Sequence, residues 1–579
     1  MWSDATLARA RRERPGTPKV SFGWREYLGD EADVALGEDG LDYGVAYESY
    51  RLASDMTQRW YVAGGRSFLE WDGVPVGAAA QADLFGFFEP WLRLSAVLEH
   101  ILGTHRPAKV IFFDDGSTRP SFLAATLAAR GVPYESVGGG RGIRLGRRVG
   151  LAVKRRLWPA MFLAARRKAY RGRPPGRLER RVTRPGAVVF WGQFGRFELD
   201  VYEEFRRAYG GDVPYVAATM AAARSAGRYG IVCDSLLDRV APIRGTARLL
   251  RRLSADYAAL ERRGMFEDFG LAPGLAAFFR EYFPFRPGAY LSTLAAFAAA
   301  TERFLARWRP ALVVHVSDVH MTGRLVAALA ARDGVPSLVI QNHITGGPTF
   351  GYLPLSSTKM AVWGRVSYDW MVDGGASPEK LAVVGSPYAA IAARSLESVG
   401  VEKIERRAVV VATNNYDPDV NRVLALAGAA YAKERGVPLV FRPHPAESEA
   451  PYRAVIRRTA PADAAVARDA PLAEVLAGAA VVVASHSGVG VDTVVAGVPL
   501  VHVNLLAGVP DYIPYVEYGA AVGVRDAREL PAALDDVLAS PPGRFAAGRE
   551  AFARAYLGSD AGDPFANIAA LARELEGSK

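Results

Sequence analysis

Two polar runs near the end of the chain carry residue types suited to holding phosphate: Phe441-Arg442-Pro443-His444-Pro445 and Ser485-His486-Ser487-Gly488-Val489-Gly490-Val491-Asp492. Each follows an apolar stretch, Val437-Pro438-Leu439-Val440 and Ala480-Val481-Val482-Val483-Ala484, that reads as a buried parallel strand. In an open α/β sheet, ligands bind in the crevice beyond the strand C-ends, with phosphates against helix N-termini. Ser487 and Gly488 are expected to open a helix, offering N–H groups, a hydroxyl and, at Gly488, no Cβ in the way. Asp492 falls about a turn further on, a carboxylate suited to two ribose hydroxyls. Arg442 and His444 add positive charge for the same phosphates, and Ser485 a second hydroxyl. Taken singly, the serines also read as helix caps, His444 as a satisfied loop histidine and Asp492 as a surface carboxylate.

Further candidates stand at other strand ends. Asn414 closes Ala408-Val409-Val410-Val411-Ala412-Thr413-Asn414 and joins the phosphate ligands; Gln341-Asn342-His343 follows Ser337-Leu338-Val339-Ile340; Asp318 and His320 follow Ala311 to Val316. Asp417-Pro418-Asp419 is formally a D-x-D, but it precedes a helix and reads as a cap. With one cysteine, Cys233, and no His-x-x-x-His pair, no metal site and no internal disulfide are expected.

These ends need two series of alternating strands and helices to position them. The first runs from Ala187-Val188-Val189-Phe190-Trp191 through a long, interrupted helical stretch (Ile243 to Trp308) to Leu381-Ala382-Val383-Val384-Gly385-Ser386-Pro387. The second begins at Ala408, and Phe565 to Leu575 closes the chain as a helix. Before them, Trp60 to Trp71 suggests a hairpin, Phe85 to Leu102 a helix, and Lys109 to Phe113 a strand ending at Asp114-Asp115-Gly116. The expected division is an α/β extension over 1–140, a basic helical linker over 141–185, and two Rossmann-like domains, 186–388 and 389–579, facing each other across a cleft.

The 579 residues, 50% hydrophobic and 23% charged, suit a soluble globular protein of several domains. Residues 1–14 lack the apolar core of a signal peptide, and the longest uncharged runs are broken by Gly, Pro, His and Asn, so neither secretion nor a transmembrane helix is expected and a cytoplasmic location is. The net charge of +10 is concentrated. Between Arg141 and Arg184 there are 16 Lys and Arg against one acid, a local +15 that leaves the remainder at −5. Leu145, Val149, Val153 and Leu157 share one helical face there, opposite Arg147, Arg148, Lys154 and Arg155, with Leu151, Arg156 and Trp158 out of pattern. That reads as a surface helix on anionic lipid at the inner face of the membrane, or as a solvated linker. No recognised nucleic-acid-binding module accompanies it, and no nucleic-acid partner is expected.

The pattern resembles GT-B glycosyltransferase-type proteins. Val362-Trp363-Gly364, Pro378-Glu379-Lys380 and Val383-Val384-Gly385-Ser386-Pro387 are similar to a run in bacterial capsule and teichoic-acid transferases. Arg442-Pro443-His444-Pro445 resembles the RPHP or KPHP element of those enzymes and of CDP-glycerol glycerophosphotransferases. Ser487-Gly488-x-x-x-Asp492 has the spacing of the Ser-Gly-x-x-x-Glu element of UDP-N-acetylglucosamine 2-epimerases, with Asp for Glu; Gln341-Asn342-His343 looks like a QHG turn with an inserted Asn. The likeness covers about residues 310 to 505.

The resemblance implies a CDP- or UDP-linked donor in the C-terminal domain, and a polysaccharide, teichoic-type or lipid-linked acceptor approaching from the N-terminal one. No cofactor or metal is implied, the activated nucleotide being a substrate. His343 is the expected general base, with Asp318 and His320 as the alternative, and Arg442, His444, Ser485 and Ser487 would stabilise the leaving phosphate. Competing readings are a 2-epimerase, a sialyltransferase using a CMP-sugar (Asp114-Asp115-Gly116 matching that group's acidic element), and a non-catalytic assembly component.

Overall fold

In the computed structural model, the described residues are 20–21, 34–35, 43–114, 118–137, 184–231, 233–235, 243–283, 290–344, 351–400, 405–414, 418–459, 461–505 and 511–577. Residues 141–183 of the basic segment, Asp115-Gly116 and Asp417 lie outside them.

Runs of Val, Ala, Leu and Phe make two wholly parallel sheets. The first contains β1 (Val188–Gly192), β2 (Tyr215–Ala217), β3 (Cys233–Ser235), β4 (Leu312–His315), β5 (Ser337–Ile340), β6 (Lys359–Val362) and β7 (Leu381–Val383), in the order β3-β2-β1-β4-β5-β6-β7. The second contains β8 (Ala408–Ala412), β9 (Leu439–Arg442), β10 (Ala464–Val466), β11 (Ala479–Ala484), β12 (Leu500–Val503) and β13 (Val522–Val524), in the order β10-β9-β8-β11-β12-β13. Both have the doubly wound arrangement in which strand order reverses beside the first strand, so each has one switch-point crevice, at β1/β4 and at β8/β11. This is the GT-B architecture of two Rossmann-like units.

Residues alternate faces along a strand, and each sheet is covered on both sides for that reason. On β1, Val188 and Phe190 join one core cluster while Val189 and Trp191 join the other. On β8, Val409 and Val411 face one way, Val410 and Ala412 the other.

The N-terminal extension forms one of these covering layers. Helices Tyr43–Arg59, Gln81–His105 and Arg119–Ala129 pack with Ile243–Arg262, Pro273–Tyr282 and Tyr290–Trp308 around Trp60, Phe88, Phe279 and Phe283, against Val189, Trp191 and Val313 of the first sheet. The interrupted helical stretch expected over 243–308 is these last three α-helices. The expected hairpin is two short ones, Val62–Ala63 with Arg66–Ser67 and Glu70–Trp71 with Val74–Pro75. Val110–Phe113 pairs parallel with Tyr134–Val137, outside both large sheets.

The chain's end returns to the first unit. Phe552 packs in the second unit's core, while Phe565, Ile568, Ala572 and Leu575 of helix Pro564–Gly577 lie in the first unit's cluster with Phe190 and Val314. A π-helical turn, Ala553–Leu557, makes the crossing. It passes so close to the first sheet that a Cβ on Gly364 would meet the Ala555 carbonyl at 2.5 Å, which explains glycine after Val362-Trp363. No helix among the described residues is long and apolar enough to cross a membrane.

Candidate functional site

The second unit's register sets the level of the site. Ala412, last in β8, pairs with Arg442 on one side and Ala484 on the other, and Ala484 pairs with His502. At about 4.8 Å per strand, Arg442 and the residue preceding Ser485 stand roughly 10 Å apart on either side of the switch point. Thr413 and Asn414 lie between them.

Arg442 is half-buried, and its Nη1 donates to the carbonyls of Ala467, at 2.5 Å, and Arg468. Burial lowers its pKa, against the charges of Asp469 and Asp492 nearby. His444 Nδ1 accepts from the Ala446 N–H at 3.1 Å, so the neutral ring carries its proton on Nε2, as a donor. Burial is the main cause lowering its pKa; Glu447 opposes this and Arg442 reinforces it.

Sequence reading missed the residue that shapes this loop. Glu447 accepts from the Thr413 hydroxyl at 2.6 Å, Asn421 Nδ2 at 3.1 Å, the His444 N–H at 2.9 Å and the Tyr452 hydroxyl at 2.7 Å. It lies five residues past Arg442, where only the loop's closure on β8 reveals it. Asn421 also brackets Asn414, accepting from its N–H at 3.3 Å and donating to its carbonyl.

Beyond β11, Ser485 and Ser487 are buried, and Gly488 is the residue before a short helix, Val489–Val495. The expected helix start is therefore there, at under two turns in length. No serine hydroxyl caps it in the usual way; Ser487 Oγ accepts only from Val489 N, at 3.4 Å. A Cβ at Gly488 would meet nothing within 4 Å, so the space above it is open.

Asp492 differs most from its reading as a surface carboxylate. It is 7% exposed, burial pushes its pKa up to about 7, and Oδ2 accepts from the Tyr388 hydroxyl at 2.6 Å. Tyr388 begins helix Pro387–Val399 after the Gly385-Ser386-Pro387 turn. Gly385 has φ +88°, which favours glycine, and Ser386 Oγ caps the helix by accepting from Ala389 N at 3.1 Å.

Tyr388 also stacks on Trp363, ring centroids 6.0 Å apart. The Trp363 N–H donates to Gln341 Oε1 and its indole N–H to the Gln341 carbonyl, both at 2.8 Å; Gln341 Nε2 donates to the His343 carbonyl at 2.9 Å. Four separate motifs thus form one chain of contacts, from His343 through Gln341, Trp363 and Tyr388 to Asp492, and the charge of Arg442 acts on Asp492 from beyond ion-pair distance.

His343 lies at the first unit's edge, and its neighbour Ile344 packs against the second unit's core. Its Nδ1 is 2.8 Å from Asn342 Oδ1, which can only accept, so the proton sits on Nδ1 and the lone pair on Nε2. The ring stacks on Tyr352 at 4.9 Å, and Tyr352 donates its own proton to Asn342 Oδ1 at 2.5 Å. Burial, and then the charge of His320, pull the His343 pKa down to about 4.

The alternative pair divides. His320 is exposed, its Nδ1 3.1 Å from Ser317 Oγ and its ring edge-on to Phe194 at 4.8 Å. Asp318 is fully buried and does not open onto the crevice: Oδ2 accepts from Ser356 N at 2.8 Å and Ser357 N at 3.0 Å, fixing that turn. Asp114 lies in the separate two-stranded pair, away from both switch points. Among the described residues no group of three or more His, Cys, Asp or Glu side chains is placed to hold a metal ion.

No protein-family model and no curated protein matches this chain. Among solved structures it is similar to UDP-GlcNAc 2-epimerase from Neisseria meningitidis bound to UDP-GlcNAc, at 11% identity and TM-score 0.45, over 68% of this chain and 100% of that one. It is similar to a putative UDP-N-acetylglucosamine 2-epimerase from Listeria monocytogenes, at 13% identity and TM-score 0.43, over 68% and 98%. MurG from Acinetobacter baumannii gives 14% identity and TM-score 0.41, over 67% and 100%.

Proposed function

We propose that this protein is a transferase that moves a sugar or polyol-phosphate from a CDP- or UDP-linked donor to an envelope polysaccharide or teichoic-type acceptor. The observation that supports it best is the pair of oppositely held histidines. His343 presents an unprotonated Nε2 beyond the C-end of β5 and His444 a protonated one beyond the C-end of β9.

Those two tautomers match the two proton demands of group transfer. The acceptor hydroxyl gives its proton to His343 Nε2 as its oxygen bonds to the transferred carbon or phosphorus. The bond from that atom to the nucleotide's phosphate oxygen breaks at the same time. The negative charge left on the phosphate meets the His444 Nε2–H, the Arg442 nitrogens not used on Ala467 and Arg468, and the Ser485 hydroxyl. Asp492, whose pKa burial raises to about 7, takes the ribose hydroxyls in this reading, with Oδ2 already held by Tyr388. The basic segment 141–184 supplies an anionic-membrane contact in this reading.

Thermal unfolding with CDP-, UDP-, CMP- and GDP-linked donors tests it, since a ligand selective for the folded state raises the midpoint. One or more donors should raise the midpoint in wild type and fail to do so in Arg442→Ala. No shift with any of them rejects the donor site. Turnover of UDP-N-acetylglucosamine without an acceptor would move the assignment to an epimerase.

A further inference from the structure

The loop that carries Tyr352 is held by its flanks. Arg324, on helix Met321–Arg332 and 2% exposed, sends Nη2 to the carbonyls of Gly351 at 2.8 Å and Leu353 at 3.3 Å, and Nη1 to the Pro354 carbonyl at 3.0 Å and Ser356 Oγ at 3.4 Å. From the N-terminal extension, Gln81 opens helix Gln81–His105, is buried, and donates Nε2 to the Leu353 carbonyl at 2.8 Å. Gly351 has φ +143° and a Cβ there would meet Val319 at 2.9 Å, so the chain enters the loop by one close path.

Tyr352 spends its own polar group on the neighbouring turn. Its hydroxyl accepts from the Asn342 N–H at 2.9 Å and donates to Asn342 Oδ1 at 2.5 Å, so one oxygen fixes both the backbone and the side chain of Asn342. That sets Oδ1 at 2.8 Å from His343 Nδ1, while the Tyr352 ring lies along the imidazole with the two planes 14° apart. The carbonyls on either side of Tyr352 are thus tied to Arg324 and Gln81, and its ring and hydroxyl to the candidate base.

Stability alone gives little reason for a guanidinium in this place. The hydrogen bonds of Arg324 all go to uncharged acceptors, its Nε has no partner among the described residues, and burial lowers its pKa. Burying a charge is costly, and a well-packed apolar side chain often serves stability as well. What the planar fork adds is geometry, because two rigidly linked nitrogens reach carbonyls on both sides of one residue.

We infer that Arg324 and Gln81 are positioning residues for His343: they clamp the carbonyls that flank Tyr352, and Tyr352 with Asn342 holds the imidazole with its proton on Nδ1. The N-terminal extension is therefore part of the support of the candidate base. That His343 is a base rests on the transferase reading; the placement of its ring does not.

Nitrogen NMR of the full chain labelled in its 8 histidines, with H343Q identifying the His343 signal, reads the tautomer directly. Wild type should show a single Nδ1–H form at neutral pH. R324K keeps the charge and loses the fork, and Q81M keeps the volume and loses the donor; both should show an Nε2–H form exchanging with the first. L325A removes a buried apolar side chain from the same helix, and should lower the unfolding midpoint without this change. With donor and acceptor, R324K should lose roughly 10–100-fold in kcat while the donor KM stays within about twofold. Circular dichroism identifies the folded variants, and Q81M decides if R324K does not fold. A single Nδ1–H signal retained in the folded variants, or the same tautomer change in L325A, overturns the inference. A tautomer change without loss of kcat, or in a protein that no nucleotide-linked donor stabilises, would instead remove the base or the transferase reading and leave the positioning standing.

Discussion

The Tyr388 hydroxyl donates to Asp492 Oδ2 at 2.6 Å, joining residues 104 positions apart in the chain. The turn that delivers Tyr388 and the helix that carries Asp492 belong to opposite sides of the connection between the two sheets. Their bond fixes a buried carboxyl just beyond the C-end of β11.

Asp492 should make the protein less stable as pH rises. Burial raises its folded pKa to about 7 from an ordinary 3.8, so between those values the folded state holds more protons than the unfolded one and stability falls with increasing pH. Asp492→Asn keeps an oxygen for Tyr388 and removes the titration. The variant's advantage over wild type in denaturant unfolding should grow by roughly 2–4 kcal/mol from pH 4 to pH 8. A difference independent of pH would mean that the carboxyl is not buried as described. Donor-induced stabilisation should fall in the same variant.

Glu447→Ala should disrupt the His444 loop. Four donors lose their shared acceptor, and each buried one left unmatched costs about 1–3 kcal/mol. A loss of roughly 3 kcal/mol or more in unfolding free energy is expected, together with a higher KM for the donor. Glu447→Gln should recover part of both, because one oxygen still accepts.

Substituting His343 by Ala should lower kcat by roughly 10²–10⁴-fold, the usual range for a lost general base. Tyr352→Phe keeps the stack and loses only the hydroxyl that orients Asn342, so about a tenfold loss is expected. With a folded pKa of about 4, the His343 ring is neutral at pH 7, and wild-type kcat/KM should stay flat toward acid until near pH 4 as far as this group is concerned. An acid limb near 6.5 that is absent in His343→Ala would contradict the burial that lowers it.

His502 should limit stability in acid. It is 2% exposed, neither ring nitrogen has a hydrogen-bond partner among the described residues, and its ring is 5.3 Å from His486, whose pKa burial takes down to about 4. Burial lowers His502 as well, opposed by Asp511 with Nδ1–Oδ1 at 3.7 Å, while Arg525 lowers it further. The unfolded chain takes up protons near 6.5 and the folded one does not, so this stability is complete above pH 6.5 and is lost as pH falls below it. His502→Leu should raise the unfolding midpoint at pH 5 by several degrees and change it little at pH 7.5, as scanning calorimetry can show.

Local sequence determined much of this protein. Apolar runs ending in polar residues placed Arg442, His444, Ser485 and His343 at strand C-ends, because a strand buried on both faces must be continuously apolar and its first polar residue marks its end. The same logic located the start of the short helix that carries Asp492, whereas Ser386-Pro387, read as the end of a strand run, opens a helix. It failed for β2 and β3, three residues each, which are too short to show a period, and for Glu447, whose four partners come from three different elements.

What tertiary structure decided is which of these groups act together. A sequence gives spacing along one strand or helix, whereas hydrogen-bond partners and burial depend on what the fold sets opposite. That is why Asp318 and Asp492, both carboxylates near strand ends in the sequence, part company: one is consumed by the backbone of Ser356 and Ser357, the other is buried against a tyrosine from across the connection. Histidine tautomers follow the same rule. Only the folded positions of Asn342 Oδ1 and the Ala446 N–H set the proton on opposite nitrogens of His343 and His444, since an imidazole's chemistry is chosen by whatever meets its other nitrogen.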